Sequence, residues 1–301
     1  MKKQTYLIGI LVGLLFVFST VYSQPKKRVA VFTFQDKTDH SWHWWNGRSP
    51  GEGMADMLTT ALVKSGKYVV IERQEINKVL EEQKMGQAGL VTPESAAKIG
   101  KLLGVELAVM GAVTEFGYSK EGTGSRIKGI GIGVKKQKAT VAVDVRFVNT
   151  TTGEIIAAEN VRKEKSKGGL RISAPKFGFT NQNNFDNSLV GKATREAVDS
   201  IVELIDKQMA QLPWEGKIIM VRGNYVYMKP GSNAGVKVGD TFYIYTKGEE
   251  LIDPDTGLSL GNEEKKVGSI QVTGILANGK AAKAIIKTGS GFKKGDLVRL
   301  K

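Results

Sequence analysis

The chain of 301 residues contains no cysteine. A disulfide framework, a thiolate metal site and a cysteine nucleophile are therefore all excluded. The acceptor for an amino-terminal lipid anchor is missing for the same reason. Histidine is almost as scarce, with only His40 and His43, three residues apart and close to Asp36 and Asp39. Imidazole and carboxylate suit zinc or copper, but no third firm ligand stands near, and a plain surface role is the simpler expectation. No GxxxxGK[ST] phosphate loop occurs. The run Gly129-Ile130-Gly131-Ile132-Gly133 lacks the third glycine of a dinucleotide fingerprint and does not open a helix. Carboxylates are scattered. No cofactor, no metal and no enzymatic activity are expected.

Long apolar runs are also few. Only Tyr6–Tyr22 approaches the ~20 residues of a spanning helix. It follows Met1-Lys2-Lys3 and precedes Ser23-Gln24-Pro25, which is the layout of a secretory signal peptide over residues 1–23. An uncleaved anchor is the alternative. The expected location is the periplasm or the periplasmic face of the outer membrane, without lipidation. Lysine and arginine outnumber aspartate and glutamate by 44 to 30, a net charge of +14. Such a balance favours lipid head groups or acidic polysaccharide as partners, and behind a signal peptide nucleic acid is not expected.

What is present reads as two regions. In the first, over 24–213, Arg28–Phe34 alternates as a buried strand. Ser49-Pro50-Gly51-Glu52 has the N-cap, first-turn proline and capping-box glutamate of a helix start, and Gly66 marks its end. Tyr68–Glu72 forms a second strand, and helices follow within Gln74–Lys84 and from Thr92 to Gly104. Val105–Val113 is apolar almost throughout, so it should be covered on both faces. Ala139, Val141, Val143, Val145 and Phe147 share one face of a half-buried strand, which turns at Asn149–Gly153 into an antiparallel mate. From Ser188 an apolar stripe through Ile201, Ile205 and Met209 predicts a long helix that stops at Pro213. The fold class is α/β (α+β). The second region, 214–301, has short strands between Gly223-Asn224, Asp253–Gly257 and Asn278-Gly279 turns, as in a small all-β barrel. Within it Gly235–Phe242 (GVKVGDTF) is echoed by Gly291–Val298 (GFKKGDLV), one turn solution used twice.

Two stretches fit no ordinary core. The loop from Gln35 to Gly47 holds Trp42, Trp44 and Trp45. An exposed aromatic cluster is costly unless something covers it, so these rings either pack on their own sheet or form a contact surface. Between Phe116 and Phe179, glycine and lysine mix with strand-like alternation, in either hairpins that leave the domain or a decorated sheet edge.

Val29–Thr38 (VAVFTFQDKT), Gly53–Lys84, Gly104–Phe116 (GVELAVMGAVTEF), Lys128–Gly133 and Val143–Ile156 together resemble the curli secretion channel family, CsgG. The most diagnostic pieces are Ile71-Glu72-Arg73-Gln74 and the Arg146–Gly153 strand-turn. The resemblance implies a homo-oligomeric ring in which each subunit gives two β-hairpins to a shared outer-membrane barrel. It implies a constriction loop at His40–Arg48, with Trp42, Trp44, Trp45 and Asn46 lining the channel, and passage of unfolded polypeptides without nucleotide hydrolysis. The hairpins would fall in Tyr118–Thr140 and Arg162–Lys192, with Ile130, Ile132 and Val134 toward outer-membrane lipid. The segment Trp214–Lys301 resembles instead the barrel that closes FlgT-type flagellar ring proteins, through Asp253–Gly261 and Val267–Ile275. Two departures stand out: the family's lipidated cysteine is absent, and Lys135, Lys136, Lys138 and Arg162–Lys167 put charge where lipid-facing strands are apolar. A soluble envelope scaffold without a pore, or a basic adaptor binding anionic polymer through Lys163–Arg171, would suit those charges.

Overall fold

A computed structural model of the protein describes residues 25–39, 44, 47–72, 74, 76–77, 92, 95, 103–127, 130–168, 181–252, 254 and 259–300. The expected leader, most of both helices expected between 74 and 104, and most of the Asp253–Gly257 turn lie outside the described residues.

The first region is a mixed sheet under helices. Its strands are β1 (Arg28–Val31), β2 (Gln35–Asp36), β3 (Val69–Val70), β4 (Leu107–Ile127), β5 (Ile130–Asn149) and β6 (Ile155–Gly168). They run in the order β3-β1-β4-β5-β6, with β2 alongside β4. Pairings among β1, β2, β3 and β4 are parallel, whereas β4, β5 and β6 form an antiparallel meander.

The strand expected over 28–34 is broken between Val31 and Gln35. Phe32 enters one buried cluster and Phe34 another, on the opposite side of the sheet. An unbroken strand would send residues two apart to the same face. The break delivers one ring to each side.

Helix α1 (Pro50–Ser65) begins in the expected capping box: the Glu52 amide donates to Ser49 Oγ at 3.2 Å, and the Ser49 amide to Glu52 Oε2 at 2.9 Å. Gly66 closes it at φ 65°, in the left-handed region that a Cβ disfavours. Two further described helices are α2 (Gln182–Asp186) and α3 (Leu189–Gln211), the latter capped by Ser188 through the Gly191 amide at 2.8 Å. Leu58 and Leu62 of α1 and Ile201 and Ile205 of α3 close over Val143, Val145 and Phe147 of β5. The other face of the sheet buries Ala108, Met110 and Val148 with Ile76. The Leu107–Val113 part of β4 is covered on both sides, as its composition predicts.

The second region is a closed barrel in the order β10-β11-β8-β7-β12-β9. Its strands are β7 (Glu215–Arg222), β8 (Tyr225–Lys229), β9 (Thr241–Ile252), β10 (Ser259–Ile275), β11 (Ala282–Gly289) and β12 (Leu297–Arg299). Trp214, Phe242, Ile244 and Val298 fill its core, with Trp214 stacked on Phe242 at 5.1 Å. The two echoed segments fold alike. Asp240 Oδ2 accepts from the Lys237 amide at 2.8 Å, and Asp296 Oδ2 from the Lys293 amide at 2.7 Å. Each turn inserts one apolar side chain into the barrel, Val236 in the first and Phe292 in the second.

The chain entering β1 ties the two regions together. The Lys26 amide donates to Ala234 O at 2.6 Å, and Lys27 Nζ donates to Met209 O. Glu106, just before β4, accepts from the Arg28 amide at 2.7 Å and lies near the backbone of Glu215 at the start of β7. Loss of water around that carboxyl pushes its pKa up to about 7, against the pull of those amides and of Arg28.

Candidate functional site

Two elements carry the functional expectations: the tryptophan loop and the long ribbon of β4 and β5. The loop is fixed at both ends. Thr38 donates to Asp36 Oδ1 from its amide at 3.0 Å and its hydroxyl at 2.7 Å, which turns the chain out of β2. On the far side the Trp44 amide reaches Arg48 O at 3.0 Å, and the Arg48 guanidinium pairs with Asp56 of α1.

Trp44 corrects the expected channel lining. Its side chain is 2% exposed and sits inside the domain core. The indole lies 4.4 Å from the Phe185 ring and 5.6 Å from Phe116. α1 approaches it across Gly53, where an added Cβ would stand 2.2 Å from indole carbons. A ring buried this deeply anchors the loop and cannot face a channel. The pairing with Phe185 was not legible in advance, because the two residues are far apart in sequence. The glycine one turn into α1 was the available signal. Trp42, Trp45, Asn46, His40 and His43 lie outside the described residues. Among the described residues no group of His, Asp and Glu gathers to hold a metal.

The ribbon is longer than the sheet needs. β4 and β5 pair without interruption from Leu107↔Asn149 to Ile127↔Ile130, with one irregularity between Val113 and Glu115. Among the described residues, helices cover its proximal half, where Val141, Val143, Val145 and Phe147 are buried. Ile130, Ile132 and Val134 occupy alternate positions of β5, opposite Ile127, Ser125 and Thr123. The expected first hairpin, Tyr118–Thr140, is thus a continuation of two sheet strands.

The expected second hairpin, Arg162–Lys192, needs correction. β6 ends at Gly168 and pairs with β5 as far as Lys136. Residues 182–186 and Leu189–Gln211 are helical. Asn181 caps α2 through the Asn184 amide at 2.9 Å, and Phe185 belongs to the domain core, so this part is held in the body of the domain. Residues 169–180 lie outside the described residues.

At the base of the ribbon, charges meet across three strands. Arg162 pairs with Glu115 and, at 3.1 Å, with Glu164, which also holds Lys138 at 2.9 Å. The hydrogen bond from Lys138, with that from Arg162, keeps the Glu164 carboxyl below its ordinary range. Lys165 turns toward α3 and pairs with Glu196 at 2.5 Å. Within the Lys163–Arg171 stretch proposed to hold anionic polymer, Lys165 is therefore already engaged, and Arg171 lies outside the described residues.

The family described as curli production assembly/transport component CsgG matches residues 17–220. Among curated relatives, the curli production assembly/transport component CsgG of Escherichia coli (strain K12) is 30% identical over 148 residues, covering 47% of this chain and 53% of that protein. The CsgG of Salmonella typhimurium is 29% identical over the same length and shares. The chain spans about half the length of the curated relatives it matches. Among solved structures, hypothetical protein CT253 from Chlamydia trachomatis is 16% identical with a TM-score of 0.40, covering 60% of this chain and 96% of that one. With the family match extending over more than half of its residues, the chain belongs to the CsgG family.

Proposed function

We propose that the protein is an exported curli-type assembly/transport component. In this reading copies of the chain form a ring, and each copy lends its β4–β5 ribbon to a shared outer-membrane barrel. Unfolded polypeptide passes through the ring, and Trp42, Trp45 and Asn46 line the narrowing. The name carried by the relatives, curli production assembly/transport component, supports the general role.

The observation that carries the pore is the length of the ribbon beyond its ion-paired base. Tyr118–Ile127 and Ile130–Ala139 remain paired past Glu115, where the exposed Glu115–Arg162–Glu164 contacts need water. Ten strand residues extend ~33 Å, and at a tilt of ~40° they rise ~25 Å, the height of the apolar band of a membrane barrel. A ribbon that merely decorated a soluble sheet would gain nothing from matching that height.

The test is conductance in planar bilayers of the purified protein, beside a variant in which residues 119–138 are replaced by a short Gly-Ser turn. Wild-type protein should partition with the outer membrane and conduct, while the shortened variant stays folded and silent. Protein that remains wholly in the soluble periplasmic fraction and never conducts would support the alternative, a soluble ring or scaffold without a pore. The ion-paired, lysine-bearing face of β6 favours that second reading.

A further inference from the structure

We propose that the outer face of the barrel formed by β7, β8 and β11 docks onto an anionic lipid surface. These three strands carry Lys217, Arg222, Lys229, Lys283 and Lys287 against a single acid, Glu215. That acid is already held by Arg299, whose Nε donates to it at 2.8 Å. Acidic residues collect elsewhere on the barrel, at Glu249, Glu250, Glu263 and Glu264 of the β9–β10 hairpin. The β9–β10 hairpin also carries Lys247, Lys265 and Lys266, so its charges largely offset one another, whereas β7, β8 and β11 keep an excess of cations.

Positive charge alone fits many partners. The apolar component narrows the choice. Ile219, Met220 and Tyr225, which are 39%, 44% and 40% exposed, stand within seven residues on the β7–β8 hairpin. A bulge between Ile218 and Met220 brings Ile219 out of the ladder. Met220 lies opposite Tyr227, which lies opposite Lys283, and Arg222 lies opposite Tyr225, which lies opposite Ile285. Directly opposed residues of an antiparallel ladder share a face, so the apolar side chains and the cations form one patch. Lys283 Nζ sits 3.7 Å over the Tyr225 ring, which holds one ammonium at the centre of that patch.

An exposed isoleucine and methionine gain nothing from a hydrated acidic polysaccharide, whereas at a bilayer interface their burial is favourable at ~25 cal/mol per Å². Tyrosine rings settle at head-group level, and lysine stems reach past them to phosphate. Each basic residue near an anionic surface adds ~1 kcal/mol. The outside of a closed barrel is convex, a shape that lies against a plane without a groove. Most of this face lies beyond the matched family segment, which ends at residue 220, and the proposal stands whether or not the ribbon forms a pore.

A local probe tests it in the full chain without interference from the ribbon or the amino-terminal apolar run. Because the chain has no cysteine, Met220→Cys creates a unique site for an environment-sensitive fluorophore. Mixed phosphatidylglycerol–phosphatidylcholine vesicles should shift its emission to the blue, high salt should reverse the shift, and pure phosphatidylcholine vesicles should produce none. The same label at Val63→Cys, on an exposed position of α1, should not respond. Adding Lys217→Glu and Lys229→Glu to the labelled protein should weaken the vesicle response by at least roughly tenfold, with circular dichroism unchanged. An unshifted Met220→Cys label overturns the proposal, as does a response that survives the charge reversals. A shift produced equally by soluble polyglutamate would replace the lipid with an acidic polypeptide.

Discussion

The sheet and the barrel solve the same problem in opposite ways. Every strand of the barrel finds neighbours on both sides, and the order closes on itself from β10 round to β9. Among the described residues the sheet stays open, with β3 and β6 as edges, and two of its strands run well past the described helices that cover them. Closure removes unpaired backbone edges, while an open, overlong ribbon presents them. The difference is one of edges: the barrel order closes, whereas among the described residues β4 beyond Val113 and β5 before Lys136 pair on one side only.

The sharpest way to break that comparison is to attack the core of one region and watch the other. Trp44→Ala should cost ~3–5 kcal/mol, the usual loss for a buried aromatic ring. Urea unfolding should show the sheet region failing early, with barrel signals from Trp214 little displaced. A Trp44→Ala protein of unchanged stability but altered conductance would return that side chain to the channel.

Next in size is the tie between the regions. Glu106 titrates near 7 in the folded protein, against ~4.3 for an unfolded glutamate. Between those values the folded state keeps a proton that the unfolded chain has released. Its contribution is therefore fully present below about pH 4.5, falls as pH rises toward 7, and is gone above it. The upper bound is ~4 kcal/mol. Arg28 and Lys27, the cations nearest Glu106, keep their charge throughout that window, so the slope belongs to the carboxyl. Denaturation midpoints at pH 5 and pH 8 should differ in the wild type and converge in Glu106→Gln. Equal midpoints in the wild type would show that this carboxyl does not report on the junction.

Smaller effects probe the repeated turn. Asp240→Ala and Asp296→Ala each remove an acceptor from a backbone amide, at ~1–3 kcal/mol. The buried Asp296 should cost more than the partly exposed Asp240. A reversed order, read from thermal unfolding, would mean that burial does not set the cost in this barrel. Smallest of all is Arg162→Ala at the ribbon base. These pairs are exposed to water, so stability should change by no more than ~1 kcal/mol. A larger loss would make the ion-paired base part of the fold.

Local features were legible because their causes are local. Ser49, Glu52 and Gly66 bound α1 within a few residues of one another, Ser188 starts α3, and Lys237–Asp240 and Lys293–Asp296 close their turns alone. The barrel strands meet at the expected Gly-Asn and Asn-Gly turns, which are short-range signals, but β9 and β10 run well past the short strands expected there. The extension of β4 and β5 was less legible. Gly122, Gly124, Gly129, Gly131 and Gly133 lower strand propensity, and the pairing of the two arms over twenty residue pairs overrides it. The second hairpin was overextended because Arg162–Lys192 mixes strand-like and polar residues, whereas the Asn181 cap and the burial of Phe185 assign its end to helix.

By itself the sequence determined periodicity, caps, turns and charge: a layered α/β region, a small barrel, no thiol chemistry, and a strongly basic surface. Tertiary structure decided which residues of a conspicuous cluster face inward. Trp44 is a surface aromatic or a core one depending on Phe116, Phe185 and Gly53, which come from three other parts of the chain. Burial is a property of all the elements that meet at a point, and no window of neighbouring residues contains them.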